Sequence, residues 1–209
     1  MKLLVFGASG ATGRELVTQA LAREVAVTAF VRNPAKLGIA HSQLTTVQGD
    51  VGDYAAVSRA IAGQDAVVSA LGVGTAQRHD PVVIEGVRHI VRAMTETGVR
   101  RLVYMSFIGV RDSRAAAGFV VRYIAALPLR REIGDHEIKE GLVTASSLAW
   151  TIVRPPTLTN GRATGAYRIG EDITARSLLP TLSRADVADC MLRQVADSNY
   201  VRKVLRVLP

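Results

Sequence analysis

Three glycines stand at positions 7, 10 and 13, in Gly7-Ala8-Ser9-Gly10-Ala11-Thr12-Gly13, directly after the apolar run Leu3-Leu4-Val5-Phe6. This spacing suits the passage from a strand into a helix beneath a pyrophosphate. The first glycine permits a tight turn, the second lets the backbone approach the phosphates, and the third lets helix and strand pack closely. Ser9, Ala11 and Thr12 complete the loop. Free N–H groups at the helix start, with the helix dipole behind them, then face the anion. The expected ligand is a dinucleotide. The second apolar run, Val25–Val31, leads into Arg32 and Asn33, with Lys36 shortly after. A site for the unphosphorylated dinucleotide usually offers Asp or Glu there to the ribose hydroxyls. Arg32 instead supplies a planar, permanently charged donor suited to a 2′-phosphate. NADP(H) is therefore the expected cofactor; a solvated strand-end charge is the other reading of Arg32.

Gly49-Asp50-Val51 follows the third apolar run. Asp50 could accept from the adenine amino group while Val51 offers its backbone, although Gly-Asp is also turn chemistry. Ala70-Leu71-Gly72 closes the fourth run, where a small residue leaves room for the cofactor ribose. Carbonyl reduction in short-chain dehydrogenases uses a Tyr with a Lys four residues later, the Lys lowering the Tyr pKa. Tyr54, Tyr104, Tyr123, Tyr167 and Tyr200 are followed at that spacing by Ser58, Ile108, Leu127, Glu171 and Val204. The usual proton donor of the alcohol/ketone mechanism is absent. A flavin or quinone is a different acceptor, because its reduced anion is delocalised and collects its proton from water. The protein then needs mainly to align two rings.

These residues must be held by an alternating scaffold. Strands are expected at Lys2–Phe6, Val25–Val31, Leu44–Gln48, Ala66–Leu71, Leu102–Ser106 and Trp150–Val153. They are continuous apolar runs, as in parallel strands covered on both faces. Helices are expected between them at Thr12–Ala22, Tyr54–Ile61, Pro81–Thr97 and Ile133–Ser147. Thr12, Asp53 and Asp80 are the expected N-caps of the first three, and Pro81 suits a first helical turn. The economical solution is a single α/β domain over residues 1–209, with a Rossmann-type doubly wound parallel sheet. Residues 157–182 read as a substrate-side excursion with a small hairpin around Ala166–Ile169. A helix at Arg184–Ala196 and a strand at Lys203–Val207 follow.

Composition narrows the partners. The 209 residues carry a net charge of +8 and are 48% hydrophobic but only 5% aromatic. The arginines are dispersed, Arg100-Arg101 and Arg130-Arg131 being the densest pairs, with no basic run interleaved with aromatics. That pattern favours a generally cationic surface over a nucleic-acid tract. No apolar run reaches the roughly 18 residues of a membrane span. The N-terminus reads as a core strand and not as a signal peptide. Cys190 is the only cysteine, on an apolar helical stretch where it should be buried and inert. A cytoplasmic setting is expected. The four histidines, 41, 79, 89 and 136, lack metal spacing, so no metal is expected. Phe119, Tyr123 and Trp150 should pack in the core or line the pocket. A monomer or weak homodimer is expected.

Taken in order, the glycine turn, Val31-Arg32-Asn33, Gly49-Asp50-Val51, Gln64-Asp65-Ala66-Val67 and Val153-Arg154-Pro155-Pro156 resemble the atypical short-chain dehydrogenases. Within these the chain is similar to the NAD(P)H-binding, NmrA-like group that includes biliverdin-IXβ reductase, also known as flavin reductase. Thr164-Gly165-Ala166-Tyr167 and Ser183-Arg184-Ala185-Asp186-Val187-Ala188 extend the resemblance almost end to end. It implies NADPH-dependent reduction of a flat acceptor: a flavin, a quinone or a linear tetrapyrrole. It also permits a non-catalytic NADP(H) redox sensor. The nicotinamide neighbourhood would fall on Ser106 and on Pro155, Pro156 and Thr157. Ser106 could orient the carboxamide or donate one hydrogen bond, or be a plain strand-end hydroxyl. Thr157 stands where biliverdin-IXβ reductase has a histidine, which argues against a histidine-assisted step. His136 resembles a histidine at the matching helix start of that group.

Overall fold

Residues 3–6 send their side chains alternately to two cores. Leu3 and Val5 enter one, Leu4 and Phe6 the other, and all four are fully buried. Such a strand needs cover on both faces. The computed structural model describes residues 1–72, 81–116 and 130–209. Its elements in chain order are β1 (Lys2–Phe6), α1 (Ala11–Leu21), β2 (Ala26–Val31), β3 (Leu44–Gln48), α2 (Tyr54–Ile61) and β4 (Ala66–Ser69), then α3 (Pro81–Thr97), β5 (Arg101–Met105), α4 (Arg130–Thr144) and β6 (Ala149–Arg154). Three short strands, β7 (Thr157–Thr159), β8 (Arg168–Gly170) and β9 (Thr181–Ser183), precede α5 (Arg184–Ala196) and β10 (Lys203–Leu208). The main sheet runs β3-β2-β1-β4-β5-β6-β10-β8. Every pairing in it is parallel except that of β8 with β10. Helices α1 and α5 cover one face and α2 and α3 the other, α4 packing beside α3. Strand order reverses between β1 and β4, which is where ligands of such sheets bind.

The doubly wound α/β architecture expected from the sequence is thus present, and most elements agree within a residue or two. Three features differ. Gly10, not Thr12, is the N-cap of α1, and no side chain caps it. Thr12 lies buried inside the first turn. The expected hairpin around Ala166–Ile169 does not form; Arg168–Gly170 instead adds antiparallel to β10. β7 and β9 pair with each other as a separate parallel ribbon. Asp53 caps α2 as expected, accepting from the Ala56 N–H at 3.1 Å. Asp80, His79, Phe119 and Tyr123 lie outside the described residues, whereas Trp150 is in the core.

Close backbone approach fixes the α1 geometry. Gly7 has φ +76, and a Cβ on it would lie 2.6 Å from the Ala70 carbonyl oxygen. A Cβ on Gly13 would lie 2.0 Å from the Gly7 carbonyl oxygen. No side chain fits between helix and turn. At the other end of the sheet, Arg154 on β6 is fully buried and forks onto the Glu140 carboxylate of α4 at 2.9 and 2.7 Å. Its third nitrogen reaches Asp112 at 2.8 Å, and Asp112 also accepts from Arg206 of β10 at 2.9 Å. Asp112 belongs to the 3-10 turn Arg111–Ala116.

Two stability outcomes follow. Gly13→Ala should lose about 3 kcal/mol of unfolding free energy by urea titration, because backbone must move to admit the methyl group. Glu140→Gln leaves a buried guanidinium without its main counter-charge and should cost about 3 kcal/mol in the same assay.

Candidate functional site

At the carboxyl edge of β2, β1 and β4 the turn after β3 and the start of α3 close a groove of about 430 Å³. Ten residues singled out in the sequence line it. Gly7, Ser9 and Gly10 form its floor beside the start of α1; Arg32 and Lys36 stand beyond β2; Asp50 and Val51 come from the turn; Ala70, Leu71 and Gly72 follow β4. Ala11, Thr12 and Gly13 lie in the first turn of α1 and do not line the groove. With Gly10 as an uncapped N-terminus, the first-turn N–H groups have no intrahelical acceptor. Neither the Arg32 guanidinium nor the Lys36 ammonium meets an acceptor among the described residues. One Asp50 oxygen takes the Gly52 N–H at 2.8 Å, the turn role that Gly-Asp allows.

Phe30, Val31, Gly49, Val82 and Val83 complete the lining. Phe30, Val82 and Val83 carry no motif. Phe30 could have been found only through its partner: its ring occupies the space a Gly49 Cβ would fill, 2.5 Å away. Val82 and Val83 depend on how α3 docks, which no local pattern encodes.

Ser106, Pro155, Pro156 and Thr157 are not part of this groove. They gather farther along the same edge, beyond β5 and β6. The Ser106 N–H donates to the Val153 carbonyl at 2.8 Å, and the Ile108 N–H to the Pro155 carbonyl at 2.9 Å. Pro155 and Pro156 are buried, and Thr157 is exposed at the start of β7. Ser106 is buried, its Oγ 3.4 Å from His136 Nδ1, and the His136 ring tilts onto Phe107 with centroids 6.4 Å apart. Burial, helped by the nearby Lys139 ammonium, lowers the His136 pKa to about 3. The imidazole is therefore neutral at ordinary pH, which suits a hydrogen-bond partner and excludes a general acid.

Asp186 anchors the excursion. It accepts from the Thr164 and Gly165 N–H groups at 2.7 and 2.8 Å and from the Ser183 hydroxyl at 2.7 Å. Desolvation alone would raise its pKa; these hydrogen bonds outweigh it and hold the carboxyl below the usual range. Tyr167 bonds Asp189, which also pairs with Arg23 and Arg193. Cys190 is fully buried, and desolvation first, then the Asp189 charge, pushes its thiol up to about 12, so it is inert. Among the described residues no group of three His, Cys, Asp or Glu could hold a metal, and no helix is long and apolar enough to cross a membrane.

Residues 7–198 match the family model described as NAD(P)H-binding. A (4-alkanoyl-5-oxo-2,5-dihydrofuran-3-yl)methyl phosphate reductase of Streptomyces griseus is 33% identical over 176 residues, covering 84% of this chain and 55% of that protein. The chain spans 31% and 55% of the first curated relatives it matches. Among solved structures, the oxidoreductase ylbE of Lactococcus lactis has a TM-score of 0.84 at 21% identity, covering 99% of this chain and 90% of that one. ChuY, an anaerobillin reductase of Escherichia coli O157:H7, has a TM-score of 0.78 at 22% identity, covering 99% and 96%. The chain belongs to the NAD(P)H-binding family, in keeping with its resemblance to the atypical short-chain dehydrogenases.

The buried His136 makes a pH prediction. Its folded pKa is depressed, so between about pH 3 and the unfolded value near 6.5 the unfolded chain binds the extra proton. Stability should therefore fall as pH drops below about 6.5, by up to about 1.4 kcal/mol per unit. Urea titrations at pH 7 and 5 should show this loss in the parent and a smaller one in His136→Gln.

Proposed function

We propose that this chain is an NADPH-dependent reductase of a small planar acceptor, a flavin or a quinone. The observation that carries the reading is the groove: a glycine cradle at an open helix N-terminus, ending in two cations whose charge no carboxylate at the end of β2 compensates. The cradle fits the group. A Cβ on Gly7 would strike the Ala70 carbonyl oxygen, and Gly10 leaves the first turn of α1 bare to a pyrophosphate. Arg32 and Lys36 would take the 2′-phosphate, Asp50 and Val51 the adenine edge, and Ala70, Leu71 and Gly72 the ribose. Bound there, NADPH supplies the hydride.

The chain's own residues supply alignment and exclude water. Ser106 would hold the carboxamide, with Pro155 and Pro156 closing the apolar side and Thr157 at the rim. The Ser106–His136 pair, being neutral, offers hydrogen bonds but no ready proton. That suits an acceptor whose reduced anion is delocalised and protonated from water. The reductase named among the relatives supports reduction as the reaction class. Setting, oligomeric state and partner follow the same reading: a cytoplasmic protein, monomeric or weakly dimeric, with a small-molecule acceptor.

Purified protein should oxidise NADPH when FMN or menadione is added. Tight NADPH binding with no turnover on any flat acceptor would replace this reading with that of a redox sensor. Arg32→Asp should raise the Kd for NADPH at least about tenfold, a loss of about 1.4 kcal/mol, and leave NADH nearly unchanged. Equal loss for both would show that Arg32 does not read the 2′-phosphate.

A further inference from the structure

The turn that walls the proposed adenine end is short, and part of its polar backbone is occupied by its own residues and by α3. Gly52 N–H goes to the Asp50 carboxylate at 2.8 Å and Asp53 N–H to the Asp50 carbonyl at 3.0 Å. The Val51 carbonyl accepts from His89 Nδ1 of α3 at 2.9 Å. The Val51 N–H is left without a partner among the described residues, and Val51 lines the groove.

His89 is itself held on two sides. Its Nε2 lies 3.3 Å from the Glu85 carboxylate one turn earlier, and its ring meets Tyr54 of α2 edge-on with centroids 5.6 Å apart. A carbonyl only accepts, so Nδ1 carries a proton in this contact, and Nε2 donates to the Glu85 carboxylate only where the ring is protonated at both nitrogens. Next to His89, Gly86 provides a notch: a Cβ there would lie 2.6 Å from Val51 Cγ2. Side chain and carbonyl of Val51 are therefore both fixed by α3, the helix whose start supplies Val82 and Val83 to the same groove.

We propose that His89 is a positioning residue for adenine recognition: by clamping the Val51 carbonyl it sets the orientation in which the free Val51 N–H meets the adenine edge. This rests on the reading of the groove as the NADP(H) site. His89 touches neither cofactor nor acceptor; it acts through the Val51 backbone, where the clamped carbonyl and the N–H lie in adjoining peptide planes about one Cα. The ligand class it serves is any adenine nucleotide seated in the groove, and the nicotinamide half is indifferent to it.

The test uses the full chain and three probes: NADPH, adenosine 2′,5′-bisphosphate for the adenine half, and reduced nicotinamide mononucleotide for the other half. His89→Asn keeps a nitrogen donor close to the Nδ1 position, His89→Gln displaces it, and His89→Leu removes it. Loss of one positioned hydrogen bond should raise the Kd of NADPH and of the bisphosphate about five- to tenfold in His89→Leu. His89→Gln should fall between, and His89→Asn should bind like the parent. Binding of the mononucleotide and kcat at saturating NADPH should not move. If His89→Leu does not fold, the contrast of Asn with Gln carries the result. Bisphosphate affinity within twofold across all folded variants, or equal losses for both half-ligands, overturns the proposal. A parent protein that binds neither NADPH nor the bisphosphate instead overturns the cofactor reading, and this one with it.

Discussion

The contact between the Gly13 backbone and the Gly7 carbonyl is the constraint on which the rest depends. It places the first turn of α1 against the turn leaving β1, with no side chain between them. Because β1 sits at the reversal of strand order, that contact puts the uncapped start of α1 at the middle of the sheet's carboxyl edge. The groove floor follows from it, since Gly7, Ser9 and Gly10 have no other course to take. So does the packing of α1 against α5, because a displaced α1 would lift Leu16, Val17 and Ala20 out of the core they share with Val187 and Met191.

The excess of arginine has a related logic. Several guanidiniums are structural. Arg154 and Arg206 share Asp112, and Arg101 reaches the Ala149 and Val195 carbonyls at 2.6 and 3.2 Å, tying β5 to the end of α5. A cation at a helix C-terminus is favourable, and a planar fork of donors satisfies several carbonyls at once. The net charge of +8 is therefore not a uniform cationic coat. It divides into arginines that hold elements together and others, Arg32 among them, that meet no partner among the described residues. The unpartnered ones are informative about ligands.

Much of the fold was legible because both of its signals are local. Continuous apolar runs mark strands buried on both faces, and Asp53 or Pro81 marks a helix start where the chain itself supplies the cap or the fixed φ. β7, β8 and β9 were not legible: three-residue strands show no period, and whether Arg168–Gly170 folds on itself or joins β10 depends on a strand nearly forty residues later. The Thr12 cap failed for a related reason. A Ser or Thr beside a helix start is a good cap by type, but here the close approach at Gly13 goes with an N-cap two residues earlier, at Gly10. In the site, residues inside the glycine turn and at strand ends were readable. Phe30 was not, because its ring fills space left by Gly49 on the neighbouring strand's exit. Val82, Val83 and the tie from His89 to Val51 were not, because each exists only once α3 has docked on the turn after β3.

The two halves of the edge are built by different physics. At the groove the backbone does most of the work: bare N–H groups and small residues, with Arg32 and Lys36 beyond β2 and Asp50 in the turn as the charged groups. Beyond β5 side chains do it. Asp112 locks the 3-10 turn to β6 and β10, and Ile108, Ala116 and Leu208 form a small separate core beneath. A backbone cradle tolerates little change, since each contact is set by φ, ψ and the absence of Cβ. A wall of side chains can be rebuilt residue by residue while the strands beneath it stay put. The same framework can therefore keep one cofactor and exchange acceptors, and the absence of a Tyr–Lys pair from the sequence fits that division, since such a pair would belong to the replaceable half and not to the cradle.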